Sequence, residues 1–405
     1  MPEVTIRPIP KEELPEQFGP MVEYSFWASP PLTSEQQRAD RMTYHGERYM
    51  IGVYEGDMLM AGAGGIPMTQ NVRGAIFPLG GVAPVISHPE GRRKGYARMA
   101  VKALLTEMNT RGDAFTGLHP FRESFYERMG FITFPQIRIA QFATSTLAPL
   151  LKWDLPGTVK RHHIKDAYDT YRAFMLEKQK TTHGMSYYPP EMATRMRDKD
   201  ETWAAVAQHE GQVIGIMLYS ITGFTETFRV QRFYHTSSLG RYLLLNWIAR
   251  HVDQTQKVEM DLPAYETAET WLSDMNIKFR TTDWVTSMGR VLNVSRIGGM
   301  QVGDGQLVAQ IQDDLCPWNN GVFSFEGRDG KLLVREMRSL PDCHLTIQGL
   351  SALVFGTHDP ALADEQRACR QPWSLFLVLS GYGEPVFQHV LRQAAVLHRN
   401  RLSVR

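Results

Sequence analysis

Beyond residue 48 the chain alternates short apolar runs with glycine-bearing and acidic turns. Residues 49–54 lead into Glu55-Gly56-Asp57 and residues 58–66 run back, which predicts a β-hairpin. Residues 73–77 and 79–87 read as two further strands, the second closed by Pro89. From Gly95 the period changes. Met99, Ala100, Ala103, Leu104 and Met108 recur at helical spacing, and Gly112 stands where a C-capping glycine belongs. Residues 114–118 then predict a short strand, residues 123–129 a short helix, and Phe131 opens another strand. Ahead of this series, residues 1–48 read as polar and helical, with Tyr24, Phe26 and Trp27 as aromatic anchors before Pro30-Pro31.

The same series returns downstream in weaker form. Residues 203–208 are strand-like, 209–212 form a turn and 213–221 run back. Residues 228–235 are strand-like, 239–252 helical and 257–262 strand again, with Glu210-Gly211 matching Glu55-Gly56. A repeat of this size predicts a duplicated domain. From about Val291 glycine-rich turns separate β-runs. Gly303-Asp304-Gly305 precedes residues 306–312, Asp329-Gly330 signals a hairpin before residues 331–334, and a helix follows at 350–355. The fold class is therefore α/β (α+β) with mixed central sheets, in three domains: 1–145, 146–290 and 291–405.

Composition narrows the partners. The 405 residues accommodate two or three domains at roughly 150 residues each, and 43% hydrophobic residues supply their cores. Lys+Arg at 44 against Asp+Glu at 43 gives a net charge of +1, which leaves no electrostatic footprint for nucleic acid. No stretch approaches the roughly 18 apolar residues of a membrane span, and residues 1–7 lack a signal's apolar core. A cytoplasmic protein without membrane or nucleic-acid partners is the expectation. Cys316, Cys343 and Cys369 are odd in number and outside metal spacing, and His162, His163 and His183 lack partners at ligand spacing. No metal is expected.

The chemistry concentrates in Val85-Ile86-Ser87-His88-Pro89-Glu90-Gly91-Arg92-Arg93-Lys94-Gly95-Tyr96-Ala97-Arg98. A strand stops at a proline, a basic glycine-bearing loop follows, and a helix starts. The unpaired amides of a helix start converge on one spot, where the helix dipole also favours an anion. Gly95 admits a close ligand and Ala97 does not obstruct it. The arrangement suits a pyrophosphate.

Arg92-x-x-Gly95-x-Ala97 resembles the Arg/Gln-x-x-Gly-x-Gly/Ala signature of the GCN5-related N-acetyltransferases (GNAT), which holds the pyrophosphate of acetyl-CoA. Downstream, Tyr126-Glu127-Arg128-Met129-Gly130-Phe131 resembles that family's Tyr-x-x-x-Gly-Phe segment, whose phenol can protonate the leaving thiolate. The whole layout is similar to the Eis (enhanced intracellular survival) family: an active GNAT domain, a degenerate second one and a small domain like sterol carrier protein 2. The resemblance implies that the backbone of Val85, Ile86 and Ser87 pairs with the pantetheine arm. It places Arg93, Lys94, Gly95, Tyr96, Ala97 and Arg98 around the pyrophosphate, with Phe121 and Arg122 close to the cofactor. Tyr126 would be the general acid and the terminal carboxylate, here that of Arg405, the base. The tail at residues 398–405 is charged where the family's is aromatic and proline-bearing. The resemblance also implies a homo-oligomer, with a hexamer as one form.

In the second repeat, Ser237 replaces the Arg/Gln of the loop signature and Tyr242 its small final residue, so that copy is expected to be inactive. Glu23, Tyr24 and Trp27 could face an amine, although an ordinary amphipathic helix explains them as well. Asp313-Asp314 reads as a turn, and Trp318-Asn319-Asn320-Gly321 as a β-turn with little chemistry in it. Two functions follow: transfer of an acetyl group from acetyl-CoA to a primary amine (an aminoglycoside-like polyamine or a lysine), or binding of a lipid by the carrier-like domain with the GNAT folds as scaffold.

Overall fold

The computed structural model describes residues 3–26, 48–190, 197, 202–223, 225–282 and 285–357. In chain order the strands are β1 (Val4–Pro8), β2 (Tyr49–Glu55), β3 (Met58–Val72), β4 (Ala75–Ser87), β5 (Phe115–Leu118), β6 (Ile132–Thr133) and β7 (Arg138–Ala143). Then come β8 (Thr158–His163), β9 (Ser186–Tyr187), β10 (Trp203–His209), β11 (Gln212–Thr222), β12 (Thr227–His235), β13 (Lys257–Leu262), β14 (Lys278–Thr281) and β15 (Met288–Val291). The last four are β16 (Gly305–Gln312), β17 (Gly321–Arg328), β18 (Lys331–Met337) and β19 (Cys343–Thr346). The α-helices used below are α1 (Gly19–Phe26), α2 (Tyr96–Arg111), α3 (Glu123–Glu127), α4 (Ile164–Thr181), α5 (Ser238–Ala249) and α6 (Ile347–Phe355).

Two compact units result. One comprises Met1–Phe134, Gln179–Met192 and Ser287–Arg405, the other Pro135–Lys178 and Ala193–Thr286. The sheet of the first runs β1-β2-β3-β4-β5-β15-β6, with β9 beside β3. The sheet of the second runs β8-β10-β11-β12-β13-β7-β14. Place by place the two orders are the same, including one parallel pair, β4 with β5 and β12 with β13. That is the duplication read from the repeat. The sixth place in each sheet holds a strand from elsewhere in the chain. β7, which follows β6, is paired in the second sheet, and β15, which follows β14, is paired in the first. The chain passes between the units at residues 134/135, 178/179, 192/193 and 286/287.

Local chemistry explains the elements. β2 and β3 close through Gly56 at φ 58°, and β10 and β11 through Glu210 and Gly211 at φ 50° and 77°. α2 ends on Gly112 at φ 98°, whose amide returns to the last turn, so no side chain is forced into the left-handed region. Val101, Leu104, Leu105 and Met108 of α2 are fully buried against β2, β3 and β4. Each such side chain contributes roughly 1.5–3 kcal/mol relative to exposure.

Three expectations need correction. Residues 4–8 are not helical but an edge strand paired with β2, because the Val4 and Ile6 alternation extends the sheet. Residues 73–77 and 79–87 are not two strands: β4 runs unbroken from Ala75, and Arg73, at φ 49°, belongs to the turn before it. Asp313 and Asn319 do lie in the connection between β16 and β17, as expected, but their side chains are not the chemically idle ones the sequence suggested. Both are buried, and Asp313 accepts from the amides of Leu315 and Cys316 at 3.1 and 3.0 Å.

Residues 305–355 form the four-stranded sheet β18-β17-β16-β19 with α6 across it. Its apolar face shares one core with the first sheet, where Phe355 meets Phe115 and Phe134 with ring centroids 5.4 and 5.0 Å apart. Arg73 closes the end of α6, donating to the carbonyls of Leu353 and Val354. Among the described residues no helix is long and apolar enough to cross a membrane.

His183 is one of the joints of the first unit. Its Nδ1 accepts from the Arg73 amide at 2.9 Å, so Nε2 carries the proton and donates to Phe355 O at 3.0 Å. Burial, opposed by the bond to Phe355 and assisted by the Arg73 charge, holds this imidazole below its ordinary 6.5. The folded state then binds the proton later than the unfolded chain. Its stabilising effect is complete above about pH 6.5 and is lost as the pH falls towards the folded value. In His183→Gln, the decline of the thermal midpoint between pH 7.5 and 5 should be shallower than in the parent. Parallel declines in the two proteins would contradict the assignment.

Candidate functional site

The first sheet opens at one place. β4 pairs with β5 from Leu79↔Phe115 to Val82↔Leu118 and no further, while its other edge continues along β3 as far as Ala61↔Ser87. Over Val85, Ile86 and Ser87 the backbone is therefore paired on one side only. An extended amide-bearing ligand could take the place that β5 has left. Phe18 lies against the Ile86 side of β3, and Ile86 belongs to the small core under α1.

Beyond β4, His88 accepts from the Glu90 amide and a 3-10 turn over Pro89–Gly91 carries the chain to α2. Arg93 and Gly95 adopt left-handed conformations at φ 64° and 87°, which turns successive amides to one side. Gly95 is the N-cap of α2 and no side chain caps the helix, so its first amides are available to an anion. Open space surrounds the position a Gly95 side chain would take. Ala97 is half-buried and Arg93 and Arg98 extend into solvent.

The basic residues of the loop are not equivalent. Lys94 Nζ is 3.2 Å from Glu55 Oε1, and the Tyr96 hydroxyl donates to the same oxygen. The Tyr96 hydrogen bond and then Lys94 hold the Glu55 carboxyl below its ordinary range. The family resemblance implies that Lys94 and Tyr96 stand beside a pyrophosphate. The structure ties both side chains to the β2–β3 hairpin, leaving Tyr96 its amide at the helix start, while Arg93 and Arg98 have no ion-pair partner among the described residues. Arg92 leans over the Tyr24 ring at 5.9 Å. Glu23 is buried on α1, and Trp27 lies outside the described residues.

Tyr126 sits on α3 just beyond β5. Its ring is 3% exposed and packs edge-on against Phe125, Phe121 and Phe131 at 5.0, 5.7 and 5.9 Å. Phe121 itself is 67% exposed and Arg122 is exposed at the start of α3. The Tyr126 hydroxyl has no hydrogen-bond partner among the described residues, and burial pushes it well above the ordinary tyrosine value. Tyr126, Val85, Tyr96 and Met99 belong to one core cluster. The structure thus gathers the sequence-predicted residues 85–87, 93–98, 121, 122 and 126 in the first unit. Arg405 lies outside the described residues.

The second repeat has the same half-paired edge, β12 pairing with β13 only to Val230↔Met260 while it continues on β11 to Gly215↔His235, but it differs at the loop, the helix cap and the following turn. Only Thr236 and Ser237 separate β12 from α5, and the Ser237 hydroxyl caps the helix by accepting from the Gly240 amide at 3.2 Å. A side chain on Gly240 would collide with the Ile214 carbonyl, so α5 is seated directly on β11. Met275-Asn276-Ile277, with Asn276 at φ 48°, stands where Met129-Gly130-Phe131 stands with Gly130 at φ 88°. That match puts Leu272 in the place of Tyr126. This copy has a filled helix cap and a leucine at the position matched to Tyr126.

Residues 5–134 match the acetyltransferase (GNAT) domain and residues 294–367 the sterol carrier protein domain. No curated protein matches the chain. Three solved structures share its fold almost end to end. A GCN5-related N-acetyltransferase from Anabaena variabilis is 17% identical, with TM-score 0.78 over 94% of this chain and 98% of that one. A probable N-acyltransferase from Enterococcus faecalis is 18% identical, with TM-score 0.80 over 95% and 99%. Eis1 from Mycobacterium abscessus is 17% identical, with TM-score 0.72 over 96% and 99%. The N-terminal third is a GNAT acetyltransferase domain and the C-terminal part a sterol carrier protein domain.

The two helix starts generate a contrast. Gly95→Val places a β-branched residue at φ 87° and in the open space before α2, so acetyl-CoA affinity should fall by about tenfold or more. Gly240→Ala should instead lower stability by roughly 1–3 kcal/mol, the usual range for overpacking, and leave that affinity unchanged. Calorimetric titration alongside thermal melts checks both. Equal losses of affinity, or two acetyl-CoA bound per chain, would contradict the contrast.

Proposed function

We propose that this acyltransferase moves the acetyl group of acetyl-CoA to a primary amine in the cleft where β4 and β5 part. The observation that carries the reading is the coincidence, in one unit, of a half-paired β4 edge, an uncapped α2 start and the unpartnered Tyr126 hydroxyl. Acetyl-CoA would bring the activated thioester; the chain supplies placement. The backbone of Val85, Ile86 and Ser87 would hold the pantetheine amides, extending β4 as a missing strand would. The amides of Gly95, Tyr96, Ala97 and Arg98 would take the pyrophosphate, with the Arg93 and Arg98 charges beside them. Phe121 and Arg122 would flank the arm.

In the reaction the amine nitrogen forms the new bond to the thioester carbonyl, the carbon–sulfur bond breaks, and the amine's proton is released. Tyr126 acts at the sulfur. Its raised pKa keeps the hydroxyl protonated at every physiological pH, so the donor form is always present. A thiol, at about 8.5, is the stronger acid, so the phenol's main effect is a hydrogen bond to the sulfur as charge develops there. Aminoglycoside-like polyamines and lysines are the acceptor classes that the resemblance supports, and the same resemblance supports a homo-oligomer.

Tyr126→Phe keeps the aromatic packing and removes only the donor. Acetyl-CoA binding should survive while kcat falls by about 10²–10³-fold, the usual effect of deleting one preorganised donor. Thiol release on a good amine acceptor measures it, and turnover at the parent rate would remove Tyr126 from the mechanism. Light scattering tests the assembly: a monomer at micromolar concentration would exclude it.

A further inference from the structure

Within the first unit, the helix that carries Tyr126 is held jointly by β15 of the first sheet and by the carrier-like domain. The Tyr126 carbonyl accepts from the amides of Met129 and Phe131 at 2.8 and 3.2 Å, closing a turn whose Gly130 adopts φ 88°. Arg290 of β15 grips this turn: its Nη1 donates to Met129 O at 2.5 Å and its Nε to Val291 O at 3.1 Å. Its Nη2 bonds Asp313 Oδ2, and both side chains are buried, Arg290 at 0% exposure. Asn319 steadies the carboxylate, donating to Asp313 Oδ2 at 2.8 Å and to Leu292 O at 2.9 Å.

A second hold comes from α6. Gln348 Nε2 donates to Glu127 O at 3.1 Å, one residue beyond Tyr126. A side chain at position 130 would strike both the Arg290 guanidinium and the Ile347 side chain, so the turn is enclosed by the two together. The apolar face of the carrier-like sheet is covered, in part by Phe355 on Phe115 and Phe134.

We propose that the carrier-like domain is a positioning element for acyl transfer, holding the Tyr126 turn through Arg290–Asp313 and Gln348. None of these residues touches the reacting atoms; they act through the backbone of residues 127–130. The inference rests on Tyr126 being the donor at sulfur. A loose turn would leave cofactor binding at β4 and α2 intact while misplacing the phenol, and an ångström of misplacement can cost orders of magnitude in rate.

The test compares Arg290→Lys and Gln348→Ala, alone and combined with Tyr126→Phe, well below each protein's melting transition. Arg290→Lys keeps a cation beside Asp313 but replaces the planar fork with one ammonium. Its kcat should fall by about tenfold or more with KM and Kd for acetyl-CoA unchanged. Gln348→Ala leaves the buried pair intact, and should show a smaller loss of the same kind even if the lysine variant does not fold. In the Tyr126→Phe background neither change should lower kcat further. Parent-like turnover of both variants, or losses that multiply with Tyr126→Phe, would overturn the positioning role alone. Parent-like turnover of Tyr126→Phe itself would instead overturn the donor reading beneath it.

Discussion

β4 and β5 are hydrogen-bonded to Val82↔Leu118 and then diverge, and the peptide groups of residues 85–87 keep partners on the β3 edge alone. Backbone polar groups in a half-buried setting need partners, and a diverging parallel pair can find them only in a ligand or in water. Much else in the first unit serves to keep that opening in shape. α2 lies across β2, β3 and β4, and no side chain caps its start. The Glu55 carboxylate takes the Tyr96 hydroxyl and the Lys94 ammonium, which anchors the loop without using its outward-facing arginines.

The second sheet keeps the same parting, β12 pairing with β13 only to Val230↔Met260 and with β11 as far as Gly215↔His235, but closes the helix start beside it. Its strand order is the same, yet the loop before α5 is shorter, the Ser237 hydroxyl fills the cap, and Gly240 lets the helix settle on β11. Leu272 takes the place of the phenol. A loop of two residues in place of eight, and single-residue differences at the cap, at Gly240 and at Leu272, distinguish the second strand–loop–helix unit from the first.

Much of this was legible in the sequence, for identifiable reasons. The hairpins announced themselves through glycines at positive φ, α2 through helical spacing and Gly112, and the cofactor loop through Arg92-x-x-Gly95-x-Ala97. The crossing of β7 and β15 into each other's sheets was not legible. β15 is four residues long, and its partner Leu118 lies far away in sequence from Met288, so neither period nor propensity records the pairing. Arg290 was missed for a related reason. A lone arginine reads as solvated, and only its apolar neighbours Met288, Val291 and Leu292 hint at burial. Asp313 and Asn319 read as turn residues because Asp and Asn usually are; here the same hydrogen-bonding capacity is turned inward onto Arg290 and Leu292. The side-chain tie between Glu55 and Tyr96 could not be foreseen from a loop motif that concerns backbone.

Hydrogen exchange of the backbone amides, with and without acetyl-CoA, addresses the central claim most directly, because it reads the opening itself. Added protection is expected over residues 85–87 and 93–98, with residues 233–242 of the second repeat unchanged. Protection centred on residues 233–242, or saturating acetyl-CoA that leaves 85–98 exchanging as before, would contradict it.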